Sequence, residues 1–235
     1  MTYTILGRCA TTGRLGIGIA TYSVTVGRYA HSTRSNAGVT VSQANANENN
    51  NAIVLRLLAQ GLGARAVLDH LKANDAWHSY RQIGVIDRGG AVAAYTGANV
   101  RGWAGEVTGE NYVSTGNGLR GQHVAEAIAR GFLAEPEADL EHRLLTALEY
   151  GRDAGGQGNA TSHRTERSAA LQVSSRHIHP DIDLRVDLHD RAVDELRRVW
   201  TVYKQYEGYY ADRGRNPRGA IGQEAFIASM KEPRP

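Results

Sequence analysis

The sequence predicts an α+β fold: a four-layer αββα sandwich of two mostly antiparallel sheets flanked by helices. Two observations point there. Strand-like runs come as hairpins while helical runs come in separate pairs, and the order is strands, two helices, strands, two helices, strands, helix. Single strands alternating with helices would instead mark βαβ units and a parallel sheet. No internal repeat and no convincing linker interrupts the chain before residue 208. Residues 1–210 are therefore expected to form one domain, with 211–235 as a C-terminal arm.

The elements follow from local pattern. "TYTILGRCA" and "GRLGIGIATYS" are β-rich runs separated by "TTG", which reads as a hairpin. In the second run Leu15, Ile17 and Ile19 alternate with Gly16, Gly18 and Ala20, so one face is bulky and the other almost bare. Bare strand positions mark close approach by a ligand or by another backbone, and the expectation is open space beside the first strand. A third strand, Ala37 to Ala46, leads into the polar loop "NENNN". A helix from Ala52 ends on glycines, and "ARAVLDHLKAND" makes the second of the pair. "RQIGVIDRGG" and "AVAAYTGA" form another hairpin, and "ENYVSTGNG" reads as a strand ending in a turn. "GQHVAEAIARGFLAE" and "ADLEHRLLTALEYGRDAGG" are helical; "ERSAALQVSS" and "DIDLRVDLH" are late strands. The last helix carries Val193, Leu196, Val199, Trp200, Tyr203 and Tyr206 along one side.

Composition excludes several classes of function. The 235 residues, 41% of them hydrophobic, suffice for a sizeable core. The 27 basic and 24 acidic residues leave a formal charge of +3, and the basic ones are scattered apart from the C-terminal "YYADRGRNPRG". No nucleic-acid partner is expected, because that footprint needs charge clustered on one face. Cys9 is the sole cysteine, which removes intramolecular disulfides and multi-cysteine metal sites. It shares the parity of Tyr3 and Ile5 and reads as a small buried residue. "MTYTILGRC" lacks a basic region followed by a long apolar run, and no stretch approaches the ~20 apolar residues of a membrane helix. The expectation is a cytoplasmic protein with no membrane partner. The aromatic "VYKQYEGYY" and the basic tail suggest a homodimer or higher homo-oligomer.

The chemistry starts at Thr2. With Met1 removed, Thr2 would carry both a hydroxyl and a free α-amine, whose ordinary pKa of about 8 suits it to accept the hydroxyl proton. One residue then supplies nucleophile and base, and needs no histidine, metal or cofactor. The bland account is a threonine that simply suits a strand. The run "RHIHPDIDLRVDLHD" sets His177, His179, Asp181, Asp183 and Asp187 on alternate positions, which invites a metal. Same-side neighbours on a strand lie ~6–7 Å apart, too far for all to share one ion, and Pro180 interrupts the run. Arg185 is the better partner for the flanking aspartates, and no metal site is expected. "GRDAGGQGNATSHR" lacks the ending of a phosphate loop and reads as a mobile loop over a cleft.

Taken in order, "TYTILGRC", "TGRLGIGIATYS", "AGVTVSQA", "YRQIGVIDRGGAVAAYTGA", "GWAG", "YVSTGNGL", "ALEYGRDAGG", "ERSAALQV" and "DLRVDLHDRAVDELRRV" resemble the uncharacterised bacterial family called domain of unknown function 1028. That family is placed with the N-terminal nucleophile hydrolases, whose αββα fold matches the element order. The resemblance covers roughly residues 2–210 and implies amide hydrolysis by Thr2; an amide or cyclic amide of a small metabolite fits better than a protein substrate, since nothing in the sequence suggests an extended peptide groove. It assigns Asn117, in "STGNG", as an oxyanion donor, although an asparagine before glycine also simply makes a turn. Gln43 and Asn47, in "VSQANAN", match a family pattern; Gln43 is grouped with Thr2 and Asn117 as catalytic. Asn47, Thr96, Thr21 and Ser168 are grouped as substrate-binding, against helix capping for Asn47 and backbone-bonded hydroxyls for Thr96 and Ser168. The family often has a lysine and an aromatic residue where Tyr22 and Ser23 stand, and a histidine where Glu106 stands. Those departures keep a second reading open: a catalytically silent binding or scaffold protein on the same fold.

Overall fold

In the computed structural model, which describes residues 1–159 and 161–230, the alternation of the first strand sets the layers. In chain order the elements are β1 (Thr2–Arg8), β2 (Leu15–Thr21), β3 (His31–Arg34), β4 (Gly38–Ala44), α1 (Glu48–Ala59), α2 (Ala64–Asn74), β5 (Arg81–Asp87) and β6 (Val92–Thr96). Then come β7 (Trp103–Gly109), β8 (Tyr112–Leu119), α3 (Gln122–Leu133), α4 (Leu140–Asp153), β9 (Gln157–Gly158), β10 (His163–Arg164), β11 (Ser168–Ser174), β12 (Ile182–Val186), α5 (Ala192–Arg215) and α6 (Gln223–Ser229). The larger sheet runs β10-β9-β8-β1-β2-β11-β12, with β7 also on β8; the smaller runs β3-β4-β5-β6. Every pairing among the described residues is antiparallel.

Leu6 on β1 and Ile17 and Ile19 on β2 meet Val39, Val41 and Ile86 of the smaller sheet, so one face of each sheet closes on the other. The opposite face of the smaller sheet, with Ile83 and Val85, carries α1 and α2 through Val54, Leu58, Val67 and Leu71. The opposite face of the larger sheet carries α3 and α4: Tyr3 donates its hydroxyl to the Leu148 carbonyl, and Ser114 donates to that of Ala125. The result is the expected αββα sandwich. The chain divides into two units, Met1–Leu196 and Arg197–Pro235. In the second, Tyr209 of α5 stacks on Phe226 of α6 with ring centroids 4.1 Å apart.

Several elements differ from the sequence expectation. The bare face of β2 does not open a space beside Thr2; it points the other way, onto α4. A Cβ at Gly18 would lie 3.1 Å from the Leu144 carbonyl oxygen, and one at Gly16 2.7 Å from a Leu144 methyl. The glycines let a helix backbone approach the sheet. "NENNN" is not a loop but the first turn of α1. Asn50 donates to Asp75 (3.0 Å) and Asn51 to the Tyr29 carbonyl (3.3 Å), which holds the asparagines in helical backbone. Strands β3 and β7 have too few apolar residues to show in the pattern. "QGNATSHRT" is no free loop over a cleft, since β9 and β10 pair within it and add to the larger sheet; Ala160 lies outside the described residues. Cys9 falls just past β1 and is half-buried, not a mid-strand core residue. The expected C-terminal arm contains α6, and its positions 231–235 lie outside the described residues. No helix among the described residues is long and apolar enough to cross a membrane.

Two tests follow from this packing. Gly18→Val should destabilise the protein by about 1–3 kcal/mol, read as a lower urea midpoint at unchanged slope, because the added methyls meet the α4 backbone. The second concerns His31, buried in β3 with Nδ1 unbonded. Burial, with the Arg185 charge nearby, pulls its pKa down from 6.5 to about 4. The unfolded chain therefore binds the extra proton between those values. Stability should be intact above pH 6.5 and fall by up to about 3 kcal/mol as the pH drops towards 4, and His31→Asn should flatten that slope.

Candidate functional site

Register brings together what sequence separates. On the larger sheet Thr2 pairs with Asn117 of β8 on one side and with Thr21 of β2 on the other, and Thr21 pairs with Ser168 of β11. Directly opposed residues project to the same face, so Asn117, Thr2, Thr21 and Ser168 form one polar row towards the smaller sheet. The smaller sheet answers with its own row, Gln43, Gln82 and Thr96 on β4, β5 and β6. All of these but Thr96 are buried.

Gln82 joins the rows. Its Oε1 accepts from Gln43 Nε2 (2.8 Å) and from Asn117 Nδ2 (3.0 Å), while its Nε2 donates to Thr96 Oγ1 (2.9 Å) and the Gly116 carbonyl (2.8 Å). Gln43 also accepts a hydrogen bond from the Thr4 hydroxyl at 2.6 Å, and the Thr96 hydroxyl donates to the Glu106 carboxylate. Burying amides without partners costs about 1–3 kcal/mol for each group left unpaired; here each amide finds its complement on the other sheet. Sequence reading overlooked Gln82. The available signal was parity: it shares the inward face of β5 with Gly84 and Ile86, where an amide has no solvent to bind.

Two backbone devices shape the end of this array. Between Trp103–Leu119 and Ala104–Asn117 the β7–β8 ladder skips Gly118, which takes φ +59°. This is a β-bulge with glycine in left-handed conformation, and it sets the direction of the adjoining Asn117. A Cβ there would also press on the Met1 side chain, 3.1 Å from its Cβ. Ala44, at φ +69°, ends β4 and turns the chain between buried Gln43 and Asn45.

A cleft of about 360 Å³ opens at this end, lined by Met1, Asn117, Ala44, Asn45, Tyr80 and Arg101, among others. Thr2, 8% exposed, is not itself on the wall but adjoins two residues that are, Met1 before it in the chain and Asn117 opposite it in the ladder. Its Oγ1 lies 3.1 Å from Thr21 Oγ1, whose own O–H donates to the Met1 carbonyl at 2.6 Å. Burial lowers the pKa of the Met1 amine.

The remaining expected site residues have structural partners. Ser168 donates to the Ser23 carbonyl and accepts from Val26 N–H, fixing the loop after β2. Asn47 caps α1 by accepting from Asn49 N–H at 3.2 Å and donates to Asn50. The late acidic run bends over 175–179 before β12, and Arg185 makes a two-bond pair with Asp187 at 2.7 and 3.2 Å. Among the described residues no three histidine, cysteine, aspartate or glutamate side chains gather as a metal site would need. Gln82→Leu should leave Gln43, Asn117 and the Gly116 carbonyl short of partners. A loss of at least about 2 kcal/mol in urea unfolding is the expected result.

A solved relative agrees with the architecture. A protein from Silicibacter pomeroyi of known crystal structure, itself assigned to DUF1028, is 31% identical, with a TM-score of 0.78 over 90% of this chain and 92% of that one. Anbu (ancestral beta-subunit) from Yersinia bercovieri is 11% identical, with a TM-score of 0.37 over 86% of this chain and 97% of that one. No curated protein matches the chain. The model of the family of unknown function DUF1028 matches residues 2–196, and with the Silicibacter relative this shows that the chain belongs to the DUF1028 family.

Proposed function

We propose that the protein is an N-terminal nucleophile amidohydrolase, with Thr2 as nucleophile once Met1 has been removed. One observation carries the reading: Thr2 sits at the end of a central strand, between Asn117 and Thr21, and two of its immediate neighbours, Met1 and Asn117, line a cleft. Loss of Met1 opens the cleft wall onto the hydroxyl. It also takes away the carbonyl that Thr21 now serves, leaving the Thr21 O–H to hold the Thr2 amine or oxygen.

The steps use this chain's own groups. Thr2 Oγ1 attacks the amide carbonyl carbon while its α-amine takes the hydroxyl proton. Negative charge gathers on the carbonyl oxygen. Asn117 Nδ2 gives one N–H to Gln82 and keeps the second for that oxygen, a contribution worth a few kcal/mol in the transition state. The C–N bond breaks as the ammonium returns its proton to the departing nitrogen. Water, deprotonated by the same amine, then cleaves the ester and restores Thr2. Gln43 lies one layer below, bonded to Thr4 and Gln82, and serves as a positioning residue. Thr96 does the same from the far side of Gln82.

Thr2→Ala should reduce amide turnover by at least about 10³-fold while moving the unfolding free energy by no more than about 1 kcal/mol. Intact-mass measurement should show Met1 absent from active protein. In the wild type kcat/KM should rise with pH through an ionisation below about 8, as the amine loses its proton. A Thr2→Ala protein of full activity overturns the assignment.

A further inference from the structure

We infer that the substrate is a small amide carrying its own carboxylate, read by Arg101; this rests on the nucleophile reading above. The cleft beside Thr2 has a one-sided charge. Among the described residues no aspartate or glutamate lines it, and Arg101 is the only charged side chain on its wall. Among the described residues Arg101 makes no ion pair and no hydrogen bond. Arg81, close by on the rim, shows the contrast. Its guanidinium is held by Asp75 at 3.0 Å and by the Asn45 carbonyl at 2.5 Å, so its charge is already answered within the protein.

The rest of the wall is built to complete an anion site. Asn45 has its backbone tied on both sides, N–H to the Tyr80 carbonyl and carbonyl to Arg81, while its side-chain amide is uncommitted. The left-handed turn at Ala44 puts that amide on the cleft wall and leaves Gln43 inside. An unpaired guanidinium and a free amide in a concave wall without acids favour a planar, two-oxygen anion. The size fits too. At about 360 Å³ the cleft holds a small molecule, with a neighbouring recess of about 280 Å³ between Asn45, Trp77, Tyr80 and Arg81. Trp77 is 63% exposed there and meets Tyr80 edge-on at 6.0 Å, an apolar rest for whatever extends beyond the carboxylate. Asn117, which faces the scissile carbonyl, and Arg101, which faces the carboxylate, thus line one cleft and can be met by one small ligand.

The experiment uses a panel of small amides, N-acetylglycine, N-acetylphenylalanine and succinamate among them, each matched with its neutral carboxamide. Calorimetric titration of full-length Thr2→Ala protein lacking Met1 measures binding without turnover, and wild-type kinetics measures the reaction. At least one carboxylate should bind about tenfold or more tightly than its neutral partner, as a charge-assisted bond predicts. Adding Arg101→Gln should erase that difference with the urea midpoint unchanged. If no carboxylate outbinds its partner, or if the preference survives Arg101→Gln, the inference is overturned. The two readings fail separately. Wild-type hydrolysis of neutral amides as fast as their carboxylates leaves Thr2 as nucleophile and rejects Arg101. Arg101-dependent binding without hydrolysis rejects the nucleophile and keeps the carboxylate site.

Discussion

The hydrogen bonds that Gln82 makes across the gap between the sheets are the constraint on which the site depends. Around them the interface is aliphatic, with Leu6, Ile17, Ile19, Val39, Val41 and Ile86 packed without polar atoms. Such a surface is tolerant of sliding, because dispersion and burial have little direction. Amides are not tolerant. Gln43, Gln82 and Asn117 come from three strands in two sheets, and a slip of one residue in any of them would turn its amide to the opposite face of its sheet. The polar array therefore fixes the relative placement of the sheets and the direction of the Asn117 amide, while the β1–β8 pairing sets the distance of Asn117 from Thr2.

The layers were legible because the hydrophobic pattern has one physical cause. In β1 and β2 alternate residues meet either a second sheet or a helix, and both partners demand apolar surface. The pairing of helices and the hairpins reads directly from that. What escaped the pattern was held by polar contacts instead. The first turn of α1 is a run of asparagines and a glutamate whose partners, Asp75 and Tyr29, lie far along the chain. β7 takes its place by backbone pairing to β8, with side chains that carry little periodic signal.

The site was legible in its members more than in its arrangement. Thr2, Asn117, Gln43 and Thr96 belong to one array, but only the register of five strands makes it so. Asn47 and Ser168 carry the same chemistry in their side chains and spend it on a helix end and a loop. Nothing in a string of letters separates an amide facing a cleft from one facing a backbone. The glycines of β2 mislead for a related reason. Missing side chains show that something comes close, and here the visitor is α4. Gln82 hid among aliphatic neighbours because a single amide does not disturb the periodicity of a strand.

Ala44 ties the interior to the exterior. Its left-handed backbone, a conformation that costs an alanine about 1 kcal/mol or more, is the hinge between two consecutive amides with opposite environments. Gln43 belongs to the buried array and Asn45 to the exposed wall, and the backbone of the single residue between them orients both. The Asn45 backbone is anchored on both sides, to Tyr80 and to Arg81, so an occupant of the cleft meets an amide held in place before it arrives. The left-handed backbone thus keeps two amides two residues apart in separate tasks, one inside the sandwich and one at its mouth.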